Sequence, residues 1–170
     1  MPKLRIRRKP DRRSLHTKTM FYTTKGLILR ETQYKDNDKL LDVLTGDMGR
    51  ITVKARGVRR KNSRLRSGCQ LLCYSELTLF EKNGFYTVNE AEPLEMFMGL
   101  RTDIELLSLG SYFAQLLSCI SDQDQASPEL LSLGLNSLYA LDKLKKPQPL
   151  VKAAFELRLM ALAGYYPELS

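Results

Sequence analysis

The sequence predicts an α+β protein, in which a small N-terminal barrel or sandwich of about five strands is followed by helices. Two observations predict it. Residues 23–92 contain short apolar or alternating runs separated by turn residues, whereas apolar residues recur at helical spacing from residue 93 onward. Apolar residues make up 43% of the 170 residues, which is enough for one packed domain or two small ones.

The first three strands are predicted from apolar runs at 26–30 and 39–44 and from an alternating run at 50–58. A tight turn at residues 47–49 separates the second strand from the third. In the third strand one face is apolar or small and the other is polar. The first face consists of Ile51, Val53, Ala55 and Gly57, and the second of Arg50, Thr52, Lys54 and Arg56.

The fourth and fifth strands are predicted at 74–81 and 85–91, on either side of Asn83 and Gly84. This pair suits a type I′ hairpin, because both residues tolerate positive φ. Residues 59–72 show no strand period and are expected to form a loop or short helix that closes one end of the barrel.

Three helices are predicted after residue 92. Thr102 and Glu105 have the spacing of a capping box, and an apolar face follows them. This face consists of Leu106, Leu109, Phe113, Leu116, Leu117 and Ile120. After a polar loop at 121–126, Ser127 and Pro128 start a second helix that ends near residues 145–147.

The third helix is predicted from about Pro149 to Ala163, ending at Gly164. Its apolar residues cover most of its circumference, so we expect it to be buried on several sides. They are Leu150, Val151, Ala154, Phe155, Leu157, Leu159 and Leu162. Because the chain ends eight residues later, at Ser170, we expect 93–170 to be a helical domain that lacks a C-terminal portion.

Positive charge is concentrated at the N-terminus. The formal net charge is +8, and residues 1–19 carry eight Lys or Arg against Asp11 alone. These residues are expected to form a disordered basic arm, or to precede a true start at Met20; a transit peptide is disfavoured by Pro2 and Pro10. A polyanionic partner is therefore expected to meet the N-terminal half of the chain, with residues 20–92 as the binding domain.

The composition also predicts the compartment. No window approaches 18 consecutive apolar residues, and the basic N-terminus lacks the apolar stretch of a secretory signal. The three cysteines do not have the number or spacing of a disulfide scaffold. These features predict a cytoplasmic protein with reduced thiols and no membrane partner.

The sequence offers little that could catalyse a reaction. The single histidine is His16, in the basic arm, and the common phosphate-loop, dinucleotide and zinc-protease motifs are absent. Asp36, Asp38 and Asp42 could be imagined as a magnesium site, but they lie among lysines and are better explained as a solvated loop. We therefore expect no catalytic residues.

The cysteines do not complete a metal site. Cys69 and Cys73 could provide half of a zinc site, which needs four ligands, and Cys119 lies far away in an apolar helix. Buried core thiols are the better interpretation. We expect no metal or cofactor in this chain.

The strongest signal is a basic run in which no acidic residue occurs between Met48 and Ser75. It consists of Arg50, Lys54, Arg56, Arg59, Arg60, Lys61, Arg64 and Arg66. A strand face with an adjoining basic loop suits a phosphate backbone, and Tyr22, Tyr34 and Tyr74 could stack on bases. This pattern favours nucleic acid over a solvated face, which usually mixes charges; base-specific recognition is not indicated.

Several motifs, in this order, resemble the start of the RecO family of DNA repair proteins. They are K-G-x-x-L-R at 25–30, Y-x-x-x-D-K at 34–39, T-x-D-x-G-R at 45–50 and A-R-G-V-R-R-K-N-S-R at 55–64. E-P-L-E-M-F at 92–97 and G-L-R-T-D at 99–103 resemble the family's junction between barrel and helices. The likeness is good over about residues 20–120.

The resemblance implies an oligonucleotide-binding (OB) barrel followed by a helical domain. It also implies binding of single- and double-stranded DNA, annealing of complementary strands, and help to RecA, with RecR, in displacing single-strand-binding protein. By position, the DNA surface maps onto the basic run, with Lys35 and Lys39 added. The cysteine cluster of many family members, a possible zinc site, would lie beyond Ser170.

Two other functions stay open. The basic face could receive an acidic peptide, such as the tail of single-strand-binding protein, or the barrel could bind RNA, since barrels of this kind serve both nucleic acids. Competition by the peptide and matched DNA and RNA affinities would separate these functions from DNA annealing.

Overall fold

The computed structural model describes residues 20–123 and 125–165, so the predicted basic arm, with His16, lies outside the described residues. Five strands form a closed barrel with the order β1-β2-β3-β5-β4, and helices follow them. This confirms the predicted fold class. The strands are β1 Met20–Tyr34, β2 Asp38–Thr45, β3 Arg50–Ala55, β4 Tyr74–Lys82 and β5 Phe85–Glu95.

Barrel closure depends on one short parallel contact. The β3–β5 pairing joins Val53 to Tyr86 and Lys54 to Thr87, whereas the other four pairings are antiparallel and longer. The order and this parallel closure are those expected of the OB barrel.

The apolar run of β1 is continuous because both faces of that strand are buried. Ile28 points into the barrel core, while Leu27 and Leu29 point into a second core shared with the helices. The strand is much longer than the predicted 26–30, since its polar ends also pair with β2 and β4. The apolar run therefore marked only the part that is buried on both sides.

Strand β3 is shorter than predicted and ends at Ala55. Gly57 adopts a φ of 64°, and its amide donates a 2.8 Å hydrogen bond to Asp38 Oδ1. The chain turns away here, so Arg56 and Gly57 do not continue the two strand faces. The predicted alternation holds within the strand, where Ile51, Val53 and Ala55 are buried in the barrel.

The hairpin between β4 and β5 has the predicted geometry, with φ of 54° at Asn83 and 79° at Gly84. Strand β5 continues to Glu95, beyond the predicted end at 91, because it stays paired with β4. Residues 56–73 form successive turns without a regular helix, and they place Val58 and Cys69 in the barrel core.

Four helices follow, namely α1 Met98–Arg101, α2 Ile104–Ile120, α3 Pro128–Asp142 and α4 Gln148–Leu162. The predicted capping box is wrong. Asp103 caps α2, since its Oδ1 accepts hydrogen bonds from the amides of Glu105 and Leu106. Thr102 instead donates to the Gly99 carbonyl at the end of α1, a helix that the sequence did not predict.

The helices pack around an aromatic pair. Phe113 of α2 and Phe155 of α4 stack with ring centroids 4.0 Å apart and planes inclined by 19°. The prediction that α4 is buried on several sides is wrong for the described residues, because one face alone, carrying Val151, Phe155 and Leu159, packs inward. Leu157 on another face is 64% exposed.

The cysteines are free and differ in burial. Cys69 and Cys73 are buried, as predicted, whereas Cys119 is exposed. Burial raises the pKa of the Cys69 thiol to about 12, so it is a neutral thiol at physiological pH. Within residues 20–123 and 125–165, no group of three His, Cys, Asp or Glu side chains could hold a metal.

None of the helices in the described part is long and apolar enough to cross a membrane.

Candidate nucleic-acid interface

A groove of about 700 Å³ lies on the outer surface of the barrel, where β2, β3 and β5 meet the β4–β5 hairpin. Its walls combine aromatic rings with positive charges. The aromatic residues are Tyr34, Phe80, Phe85 and Tyr86, and the cationic residues are Arg50, Lys54, Arg56 and Lys82. This combination suits a single-stranded nucleic acid, which offers both exposed bases and phosphates.

Strand alternation places the groove's cations. Because Ile51 and Val53 point into the barrel, Arg50 and Lys54 of the same strand point outward into the groove. Phe85 follows the tight hairpin turn directly and is 78% exposed. An aromatic ring left this exposed beside cations is a candidate contact for a ligand.

Lys54 is held in place by two neighbours. Its Nζ lies 4.6 Å from the centroid of the Tyr34 ring and 3.5 Å from Asp38 Oδ2. The amide of Gly57, aided by Lys54, lowers the pKa of Asp38, so this carboxylate is charged at neutral pH. Lys54 and Tyr34 thus form a positioned pair of a phosphate contact and a ring for stacking.

The loop between α2 and α3 forms one wall of the groove. The Arg50 amide donates to the carbonyl of Asp122 at 3.1 Å, and its Nε donates to that of Ser121 at 3.3 Å. Gln123 pairs with Gly49 and Arg50 through isolated bridges and lines the groove. The helical part of the chain therefore contributes to a site on the barrel.

This contact requires glycine at position 49, which predicts a clear effect of Gly49→Ala. A Cβ at Gly49 would collide with the backbone carbonyl of Gln125, and its φ is 70°. We expect Gly49→Ala to lower the free energy of unfolding by about 2–5 kcal/mol, of which the left-handed conformation accounts for about 1–2. Urea denaturation followed by circular dichroism measures this change.

Gly84→Ala is the matched control. Gly84 has a similar φ of 79°, but no atom of the described residues lies within 4 Å of the point that a Cβ would occupy there. It should therefore show the conformational cost of about 1–2 kcal/mol without the collision. Equal losses for the two variants would mean that the loop does not pack against Gly49 in solution.

The remaining predicted cations lie mainly on residues 59–66, here named the basic loop. Its exposed cations are Arg59, Arg60, Lys61, Arg64 and Arg66. In the described part of the chain none of the five forms an ion pair with a carboxylate, although Arg59 Nη1 donates to the Asp36 carbonyl at 3.0 Å. Five uncompensated charges on one short loop form a strongly positive surface.

A second depression, of about 540 Å³, lies beside the basic loop and is lined partly by Lys39, Arg59 and Arg66. Lys39 is paired with Glu31 at 2.9 Å, so its charge is partly compensated. Lys35 is exposed in the β1–β2 turn, 5.6 Å from the Tyr34 ring centroid. The predicted cations therefore do not form one continuous groove.

Of the three tyrosines considered for stacking, Tyr34 alone lines the groove. The Tyr22 hydroxyl donates to Glu81 at 3.1 Å, and Tyr74 packs against the core shared with the helices. Sequence reasoning missed the ring of Phe85, although its place directly after the Asn83-Gly84 turn was a usable signal. It also missed Phe80, Lys82, Tyr86 and Gln123, which line the groove too.

The three aspartates considered for magnesium serve separate structural roles. Asp38 accepts the Gly57 amide, and Asp42 Oδ1 accepts the Thr52 hydroxyl at 2.7 Å. Asp36 contributes its backbone carbonyl to Arg59. Their side chains do not converge, as the absence of a metal-binding group in the described residues also shows.

Two family models match the chain in succession. The model described as "Recombination protein O N terminal" matches residues 20–97, and the one described as "Recombination protein O C terminal" matches residues 101–170. The boundary falls between the last barrel strand and the helices.

Curated relatives named "DNA repair protein RecO" align with most of the chain. The protein of Acetivibrio thermocellus is 34% identical over 150 residues, which cover 88% of this chain and 60% of the relative. That of Heliobacterium modesticaldum is 39% identical over 149 residues, covering 88% and 54%. That of Alkaliphilus metalliredigens is 34% identical over 151 residues, covering 89% and 61%. The chain thus spans little more than half the length of these relatives.

Proposed function

This chain belongs to the family of recombination protein O, and on that premise we propose that it binds DNA in the service of repair, holding a single strand in the barrel groove. The observation that carries the proposal is the groove itself, where Phe85 and Tyr34 offer rings beside Lys54 and Arg56. Stacking on rings and contacts to phosphates bind single strands with little sequence preference.

The groove contains the parts needed for binding and none that the proposal needs for covalent chemistry. Positive charge offsets the repulsion between phosphates when two strands approach each other, so annealing of complementary strands requires no nucleotide hydrolysis. We propose annealing as the activity of this surface. It would act at the nucleoid, in the cytoplasm.

The wider role is proposed from the family. Its proteins are expected to work with RecR and to help RecA replace single-strand-binding protein on DNA. The described residues that would contact these proteins are not distinguished by any feature of the groove. The proposal for this chain therefore concerns the DNA-binding step.

The test is fluorescence anisotropy of a labelled single-stranded oligonucleotide, titrated with the full chain over a series of salt concentrations. We expect Phe85→Ala to weaken binding about 5- to 160-fold, because stacking of one base contributes about 1–3 kcal/mol. The salt dependence should not change, since no charge is removed.

Tyr139→Ala is the matched control. This ring lies on α3 and is 47% exposed, but it does not line the groove. It should bind like the unchanged protein. Equal affinities of all three proteins would contradict stacking in the groove, and a wild-type affinity insensitive to salt would contradict DNA binding by cationic residues.

Single-stranded RNA is the alternative ligand, because rings and phosphate contacts do not themselves exclude a 2′-hydroxyl. Affinities for DNA and RNA of matched sequence, measured side by side, decide between them. We expect DNA to bind at least as tightly as RNA.

A further inference from the structure

We propose that the barrel binds two nucleic acids at once, a single strand in the groove and the phosphate backbone of duplex DNA on the basic loop. This inference rests on the proposed function and divides its DNA surface into two sites. The cations involved follow one another in the sequence, but the fold separates them.

Strand alternation separates the two surfaces. Lys39 and Leu40 are neighbours on β2, so their side chains point to opposite sides of the strand. Leu40 lines the groove together with Lys54, whereas Lys39 lines the second depression together with Arg59 and Arg66. Among the described residues, the two linings have none in common.

The chain itself changes surface at Gly57. Arg56, directly before it, still lines the groove. After the positive φ of Gly57, the buried side chain of Val58 covers the end of the barrel and Arg59 lies on the second depression. The basic loop therefore projects from the barrel end, away from the groove.

The two surfaces differ in chemistry. Four aromatic residues line the groove, but none of the described residues that line the second depression is aromatic. Without rings the basic loop has little to offer to unstacked bases, while its five cations suit phosphates. A duplex keeps its bases stacked inside and presents phosphates at high density, so it matches this surface.

The surfaces are close enough to serve one reaction. The Arg59 amide donates to the Asn37 carbonyl at 3.1 Å, which fastens the basic loop to the β1–β2 turn. That turn follows Tyr34, which lines the groove. A strand in the groove and a duplex on the loop would thus adjoin across one turn, as pairing or exchange of strands requires.

The test compares two variants of the full chain with two ligands, a single strand and a closed hairpin duplex. In the loop variant, Arg60, Lys61 and Arg64 are changed to Glu; in the groove variant, Tyr34 and Phe85 are changed to Ala. We expect the loop variant to lose about tenfold or more in duplex affinity, with a salt slope lowered by about 2–3, and to keep single-strand affinity within about threefold. The groove variant should show the reverse preference.

The control for charge carries Lys145→Glu, Lys146→Glu and Arg158→Glu, which change the net charge equally but lie after the barrel. It should bind both ligands within about threefold of the unchanged protein. Circular dichroism of each variant confirms that it is folded before its affinity is interpreted.

Three results would overturn the inference. The loop variant could weaken both ligands equally, which would indicate one continuous surface. It could leave duplex binding unchanged, or an excess of unlabelled single strand could displace the duplex completely, which would place both ligands in one site. If the unchanged protein binds neither ligand in a salt-dependent manner, the proposed function itself fails.

Discussion

Replacing Lys54, Arg56, Arg59 and Arg60 together by glutamate is expected to abolish salt-sensitive binding of a single-stranded oligonucleotide. Lys54 and Arg56 line the groove, and the other two begin the basic loop. Four lost phosphate contacts lower the salt slope by about 3, which corresponds to roughly several hundredfold in affinity at about 0.1 M salt. The reversed charges add repulsion to this loss.

The control exchanges Lys145, Lys146, Lys152 and Arg158 for glutamate, an equal change in net charge on residues that follow the barrel. Anisotropy over a salt series should show binding close to that of the unchanged protein. Since residues 1–19 are present in all three proteins, any binding by that segment contributes equally. Equal binding by the four-site variant and its control would place the DNA site outside the barrel.

Phe155→Ala is expected to destabilise the helical part by about 3–5 kcal/mol. The ring is 1% exposed and stacks on Phe113, so its removal leaves a cavity between α2 and α4 and also takes away an aromatic contact. Urea denaturation followed by circular dichroism should show a lower midpoint with a similar slope.

Leu157→Ala is the control on the same helix. Its side chain is 64% exposed, so the change in the free energy of unfolding should stay within about 0.5 kcal/mol. A loss as large as that of Phe155→Ala would show that this face of α4 is covered in solution. The pair thus tests which side of the helix carries its stability.

Features set by neighbouring residues could be predicted from the sequence. The alternation of β3 and the Asn83-Gly84 turn depend on the strand period and on local backbone preferences, and both are present in the structure. The closure of β3 against β5 could not be predicted, because it joins Val53 to Tyr86 through two residue pairs without a pattern of its own.

The candidate site was predictable in its charges but not in its shape. The basic run stands out in the sequence, yet the turn at Gly57 divides its residues between two surfaces. Gln123 reaches the groove from the far end of α2, because its backbone pairs with Gly49. The spatial neighbours of a strand face come from distant parts of the chain, and their identity depends on tertiary packing.

The contact of Gly49 with the α2–α3 loop bears on how such proteins can diverge. The barrel and the helices fall to separate family models, which invites their treatment as interchangeable cassettes. However, the backbone of Gln125 fills the space where a side chain at position 49 would stand. A chimera that joins the barrel of one relative to the helices of another is therefore expected to fold well only when the glycine and the length of the loop are inherited together.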